Sequence, residues 1–172
     1  MGVLPDWRIR SLCERGAITP FEPTLLNPAS LDIRLGTHVF EEREEIGLVG
    51  NKIGHHTKDN PYKLYPGEFI LAESIEVFNI PNNVSVQFAL KSSMARCGLE
   101  HSLAGWIDPG FSNSVLTLEL KNALRLGCID LWPGMRIGQL IWFDMQGEPE
   151  RSYKETGRYN GDKYVTKSKG SL

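Results

Sequence analysis

Three short segments of this sequence carry residue types suited to holding a phosphorylated small molecule and moving its protons. Lys91-Ser92-Ser93-Met94-Ala95-Arg96-Cys97-Gly98-Leu99 brings two hydroxyls and two cations to what reads as a short helical turn, with Ser92 or Ser93 as its cap. Free backbone N–H groups and the positive dipole end would favour an anion there, which makes the segment a candidate phosphate seat. An ordinary capped turn with surface cations explains the same residues. Ala104-Gly105-Trp106-Ile107-Asp108-Pro109-Gly110-Phe111 sets an Asp and two aromatics beside a tight Pro-Gly turn. Asp108 could accept a bond from a sugar hydroxyl while Phe111 packs on a ring, or Asp108 could simply close the turn through its own side chain. In Val115-Leu116-Thr117-Leu118-Glu119-Leu120 the leucines share one face of a strand, and Thr117 and Glu119 share the other. On an open face Glu119 is a solvated carboxylate; facing a cleft, it becomes a candidate general base.

The elements that must position these segments are mostly strands. Asp6 is placed to cap a helix over residues 7–15, where Ile9, Leu12 and Cys13 recur at helical spacing before Gly16. After Pro20 the period changes to two. Ser30–Gly36 alternates cleanly, and further strands are expected at residues 38–42, 68–73, 76–80, 84–90, 115–121, 128–131 and 137–145. The turn-rich stretches Pro66-Gly67, Pro81-Asn82-Asn83, Pro109-Gly110 and Pro133-Gly134 punctuate them. Residues 41–61, with adjacent His55 and His56, read as a polar excursion between strands. Tyr65-Pro66-Gly67-Glu68-Phe69-Ile70-Leu71 and Trp132-Pro133-Gly134-Met135-Arg136-Ile137-Gly138-Gln139-Leu140 look alike, each a Pro-Gly turn entering a strand. That weak duplication fits a jelly roll or related barrel. The expectation is one mainly β domain over residues 1–150, a distorted jelly-roll or β-barrel with a short N-terminal helix, followed by a tail over 151–172.

Composition narrows the function. The chain has 172 residues, 41% of them hydrophobic, which suits a single domain with a real core. A net charge of −2 gives no basic footprint for nucleic acid, and no apolar run approaches the ~18 residues of a membrane span. The first residues lack both a secretory pattern and a myristoylation signal, so a cytoplasmic protein is expected. Cys13, Cys97 and Cys128 form no CxxC pair, so neither a disulfide framework nor a zinc knuckle is indicated. The average charge hides an asymmetry, because the residues from Arg151 onward carry +4 and the first 150 carry −6. Such a tail is either a solvated terminus or a flap over an anion.

Taken together and in this order, the segments resemble the dCTP deaminase family of the dUTPase-like superfamily. Asn27–Gly36 is similar to its N-terminal block and Lys91–Leu99 to its Arg/Lys-Ser-Ser-x-x-Arg-x-Gly-Leu signature. Residues 104–111, 117–120 and 133–140 and Tyr153 with Arg158-Tyr159 follow at family-like spacing. The resemblance implies a homotrimer with active sites between subunits, hydrolysis of dCTP to dUTP and ammonia, and Mg2+ accompanying the triphosphate. It also implies dTTP as an inhibitor. It makes Glu119 the base that takes a proton from water and returns it to the ring nitrogen and leaving group. Ser92 and the Ala104 carbonyl would hold that water, and Arg96 would support the developing charge. Lys91 and Ser93 would contact phosphates and Asp108 the 3′-hydroxyl. Phe111, Thr117, Leu118, Gln139, Tyr153, Arg158 and Asp162 would complete the substrate shell, with the tail as a lid. No HxE…PCxxC signature is present, so zinc activation of the water is not expected. The chain departs from the family pattern at Leu103, where Thr is usual, at Asn113, where Gly is common, and at Asp162, where Gln is usual. It also carries one extra residue between Asp108 and Glu119. Lys163 is the expected counter-charge to Asp162. Two alternatives stand beside dUTP release: a bifunctional enzyme that also cleaves dUTP to dUMP and pyrophosphate, and a non-catalytic nucleotide-binding regulator on the same fold.

Overall fold

The structure, a computed structural model, describes residues 2–170. Chain order runs α1 (Asp6–Glu14), β1 (Ile18–Thr19), a 3-10 turn (Pro23–Leu25), β2 (Leu26–Asn27), β3 (Ser30–Arg43), β4 (Gly47–Lys52), β5 (Tyr62–Leu64), β6 (Phe69–Asn79) and β7 (Val84–Leu90). It continues with α2 (Ser92–Arg96), β8 (Leu99–His101), β9 (Trp106–Ile107), β10 (Ser112–Asn122), β11 (Ile129–Leu131), β12 (Arg136–Asp144) and α3 (Tyr153–Thr156). The main sheet has the order β8-β10-β6-β3-β12-β7-β9, all paired antiparallel. It curls because β3 turns a corner: Leu31–Arg34 pair with β12, while Leu35–Glu41 pair with β6. The result is a curled antiparallel half-barrel with a short N-terminal helix, its hollow filled by Leu31, Ile33, Leu35, Phe78, Val86, Leu118, Leu120, Leu140 and Trp142.

The two look-alike segments occupy matching places. Each is a turn closed by a backbone bond across Pro-Gly, from Glu68 N–H to the Tyr65 carbonyl (3.1 Å) and from Met135 N–H to the Trp132 carbonyl (3.3 Å). Gly67 and Gly134 stand at φ +80° and +86°, which the second central position of such a turn requires and glycine supplies without strain. The strands they open, β6 and β12, flank β3 on its two sides, and the strands they close, β5 and β11, pair with each other.

Several boundaries differ from expectation for identifiable reasons. The helix spans Asp6–Glu14 with Pro5 as its cap residue, and the Asp6 carboxylate bonds only the adjacent Trp7 N–H at 2.7 Å. Residues 30–43 form one strand where two were expected, and so do residues 69–79. Irregularities in register between Leu35 and Val39 and opposite Ser74–Glu76 break the alternation without ending the strand. The polar excursion contains β4, paired with β3 from His38 to Arg43. Strands β5, β8 and β9 are too short to show a period.

Charged groups inside the fold are paired. Glu76 is buried, and Arg34 bonds it through both Nε (2.8 Å) and the backbone N–H (2.9 Å). Burial pushes the Glu76 carboxyl up despite those bonds. The tail does not leave the domain: Val165 and Ser152 are buried against it. Among the described residues, no helix is long and apolar enough to cross a membrane.

Candidate active site

A cavity of about 620 Å³ opens between β10, the loop around β9 and the tail. Ala104, Asp108, Phe111, Thr117, Glu119, Tyr153 and Asp162 line it, so seven of the residues singled out in the sequence come together. The alternation of β10 does this. Leu118 and Leu120 are fully buried on the core side, which turns Thr117 and Glu119 outward. Leu118 is therefore a core residue, and its side chain has no access to a substrate.

Glu119 is the lining residue with reserve bonding capacity. Its Oε2 is buried and has no hydrogen-bond partner, one of two such side-chain atoms among the described residues, the other being Trp142 Nε1. His101 Nε2 lies 3.1 Å from that oxygen but out of line for a hydrogen bond. The His101 ring is held by Phe88, centroid to centroid 4.6 Å. A buried carboxylate oxygen left unpartnered in a cavity is poised to accept from something that enters it. His101 was not singled out from the sequence. It sits on β8 opposite Leu120, and only the pairing of β8 with β10 brings it beside Glu119.

The loop wall is rigid for local reasons. Asp108 accepts from Trp106 Nε1 (3.2 Å), and Phe111 N–H bonds the Asp108 carbonyl (3.1 Å), closing the Pro-Gly turn. Gly110 at φ +89° faces Ser152 so closely that a Cβ would stand 2.0 Å from its Oγ. Phe111 packs edge-on against Phe78 and Tyr153. Burial, with a smaller contribution from the Asp108 charge, raises the Tyr153 hydroxyl above its ordinary range, so it faces the cavity as a neutral group.

The tail forms the remaining wall with Thr166, Lys167 and Ser168. Asp162 anchors it: its carbonyl accepts from Val115 N–H (2.9 Å) and its N–H donates to Ser114 Oγ (3.2 Å). The counter-charge is Lys169, at 2.7 and 2.9 Å from the two Asp162 oxygens, with Thr166 Oγ1 adding a bond at 3.1 Å. Lys163, the expected partner, instead reaches Asn113.

The remaining candidates are elsewhere. Lys91, Ser92, Ser93, Arg96, Gln139 and Arg158 do not line this cavity. The residue that caps α2 is Lys91, not Ser92 or Ser93, and no side chain caps the helix. Lys91 Nζ is bound by both oxygens of the fully buried Asp32 at 2.7 Å each, with Arg136 3.6 Å away. Gln139 accepts from Ser30 Oγ (3.1 Å), and Arg158 turns to the Gly170 carbonyl. Trp106, Tyr159 and Lys167 line the cavity without having been assigned a site role from the sequence. Among the described residues, no group of three or more His, Cys, Asp or Glu side chains is placed to hold a metal.

A curled antiparallel half-barrel with a short N-terminal helix is the dUTPase-like fold. The family described as dCTP deaminase-like matches residues 3–145. The proteins named "dCTP deaminase, dUMP-forming" of Thermobifida fusca and Acidothermus cellulolyticus are each 39% identical to this chain. The matches cover 99% and 97% of it and 93% and 94% of the relatives. The 2'-deoxycytidine 5'-triphosphate deaminase of Agrobacterium tumefaciens superposes with a TM-score of 0.68 at 21% identity, over 82% of this chain and 48% of that longer one, which supports the fold. The chain belongs to the dCTP deaminase family.

Proposed function

We propose that this dCTP deaminase carries its product on to dUMP. The observation that carries the catalytic part is the buried, unpartnered Oε2 of Glu119 in the cavity. That oxygen takes a proton from a water whose oxygen adds to C4 of cytosine. Glu119 passes that proton to the ring N3, then moves the proton of the added hydroxyl to the amino group, so that the C4–N4 bond breaks, ammonia leaves and the C4 carbonyl forms. The Ala104 carbonyl and Ser92 hold the water, and Arg96 stabilises the developing charge. A second water attacks the α-phosphorus, and the bond to the β-phosphate breaks to leave dUMP and pyrophosphate. The dUMP-forming relatives at 39% identity support this second step over release of dUTP. Asp108 binds the 3′-hydroxyl, Phe111 packs on the sugar, and Tyr153 and the tail close the triphosphate end.

Ser92, Ser93, Lys91 and Arg96 are absent from the cavity of their own chain. In a homotrimer a neighbouring copy would bring its α2 to the cavity, so that each site draws on two chains. Magnesium would enter with the triphosphate and offset its charge, and such an ion would ask for few protein carboxylates.

Incubation with dCTP and magnesium, with ammonia, dUTP, dUMP and pyrophosphate followed together, tests the reading. Ammonia, dUMP and pyrophosphate in equal amounts are expected. Accumulation of dUTP would reduce the function to deamination alone. Tight nucleotide binding without ammonia would make the chain a binding protein.

A further inference from the structure

We propose that Glu73 is a positioning residue for the substrate-closing tail, a buried latch that seats residues 164–166 so that the next positions complete the cavity wall. The proposal rests on the tail acting at the nucleotide site, as argued above. Glu73 lies on β6, in register with Thr117 of β10, and is 5% exposed. Its Oε1 accepts from the backbone N–H groups of Thr37 (3.3 Å) and His38 (3.2 Å), and His38 Nδ1 lies 2.8 Å from it. Its Oε2 accepts from Val165 N–H at 2.8 Å, across 92 positions of sequence. One carboxylate thus ties the corner of β3 to the tail.

The neighbouring contacts extend the seat by one residue on each side. The Tyr164 ring meets His38 edge-on, with centroids 4.6 Å apart. Thr166 N–H donates to Thr117 Oγ1 at 3.4 Å. Three consecutive tail residues therefore meet anchors on three neighbouring strands, β3, β6 and β10, and Thr166, Lys167 and Ser168 line the cavity together with Glu119. The fold leaves room for the latch, since a Cβ on Gly36 would stand 2.4 Å from Glu73 Cγ. Strand packing alone would be served by an apolar side chain at this buried position. A carboxylate is favourable there only because each of its oxygens is bonded, and Oε2 is bonded by the tail.

Glu73→Gln keeps the size and one acceptor oxygen but turns an NH2 group toward Val165 N–H. The expected result is a rise in KM for dCTP of about tenfold, the cost of a lost bond to a buried charged acceptor, with kcat little changed. Hydrogen exchange at the Val165 and Thr166 amides should quicken while the amides of β6 and β10 stay protected. Val165→Pro removes the donor from the other side with Glu73 intact, and should raise KM equally and quicken Thr166 exchange. The double variant should be no worse than either single one, because both remove the same bond. Unchanged exchange at Thr166 in either variant overturns the latch, and Val165→Pro alone decides it should Glu73→Gln not fold. Quickened exchange with unchanged KM overturns the positioning role while leaving the deaminase reading intact. Multiplied KM effects in the double variant would show that Glu73 acts elsewhere. Lack of dCTP turnover by the unaltered protein would overturn the functional reading instead, and the exchange data would still judge the latch.

Discussion

Glu119 on β10 and Lys91 at the start of α2 are both charged groups, and the fold treats them in opposite ways. Glu119 Oε2 is buried and left without a hydrogen-bond partner. Lys91 is clamped by both oxygens of a carboxylate that has no exposure at all. The first arrangement is unfavourable by itself and makes sense only when something else enters the cavity. The second is complete without a ligand. The difference separates two kinds of charged residue: those whose bonding capacity is held in reserve for a substrate, and those already committed to the fold.

The largest effect should come from the unpartnered oxygen. Glu119→Gln should lower kcat by about a hundredfold to ten-thousandfold, the range for loss of a general base, while dCTP still binds. Turnover and equilibrium binding measured on one preparation check both halves. A variant that keeps its turnover would remove Glu119 from the chemistry and erase the contrast with Lys91.

A second experiment asks where the α2 half of the site comes from. Arg96→Ala and Glu119→Gln should each be inactive as a pure preparation. Unfolded and refolded together, they should regain part of the activity, because mixed assemblies contain sites with one intact residue from each chain. Recovery on mixing supports sites shared between copies. If nothing is recovered although mixed assemblies are shown to form, each chain must bring its own α2 to its own cavity.

Lys91 sharpens the comparison from the other side. Lys91→Met leaves Asp32 buried with Asn27 at 2.9 Å and Arg136 at 3.6 Å as its remaining partners. Removing one member of a buried pair costs about 3 kcal/mol, and the loss should appear in thermal unfolding without nucleotide. Unchanged stability would mean that Lys91, like Glu119, is held in reserve for the substrate.

How far these roles could be read from the sequence depends on the distance over which each was determined. The outward face of β10 was legible because alternation of Leu116, Leu118 and Leu120 with Thr117 and Glu119 is local. The Pro-Gly turns were legible because turn chemistry is confined to four residues. The continuity of β3 and β6 was not, since their irregular registers break the period while the pairing continues across the gap. His101, Glu73 and the Asp32–Lys91 pair were hidden for a different reason. Each acquires its role from a partner on another strand or in the tail, and nothing in the flanking residues marks it. The compensation of Asp162 by Lys169 instead of Lys163 has the same origin. The tail's path over Ser114 and Val115 decides which lysine faces the carboxylate.

The smallest expected effect is at Asn113, which stands at φ +55°. The register between Ser112 and Ser114 advances two residues on β10 for one on β6, so Asn113 is the bulged residue. The bulge takes up the extra β10 position locally, and beyond it Thr117 and Glu119 still face outward. Asparagine tolerates this backbone region better than most residues, and glycine adopts it freely. Asn113→Gly gains that freedom and loses the exposed side-chain contact with Lys163, while the bond from the backbone N–H to Asn79 Oδ1 (3.0 Å) survives. The two changes oppose each other at a few tenths of a kcal/mol each, so stability should shift by less than about 0.5 kcal/mol. Turnover of dCTP should be unaltered, because the position of Glu119 depends on the bulge and not on the side chain that occupies it. A large fall in turnover with stability unchanged would show that the Asn113–Lys163 contact helps to hold the tail wall, and would place this residue with the groups that serve the substrate.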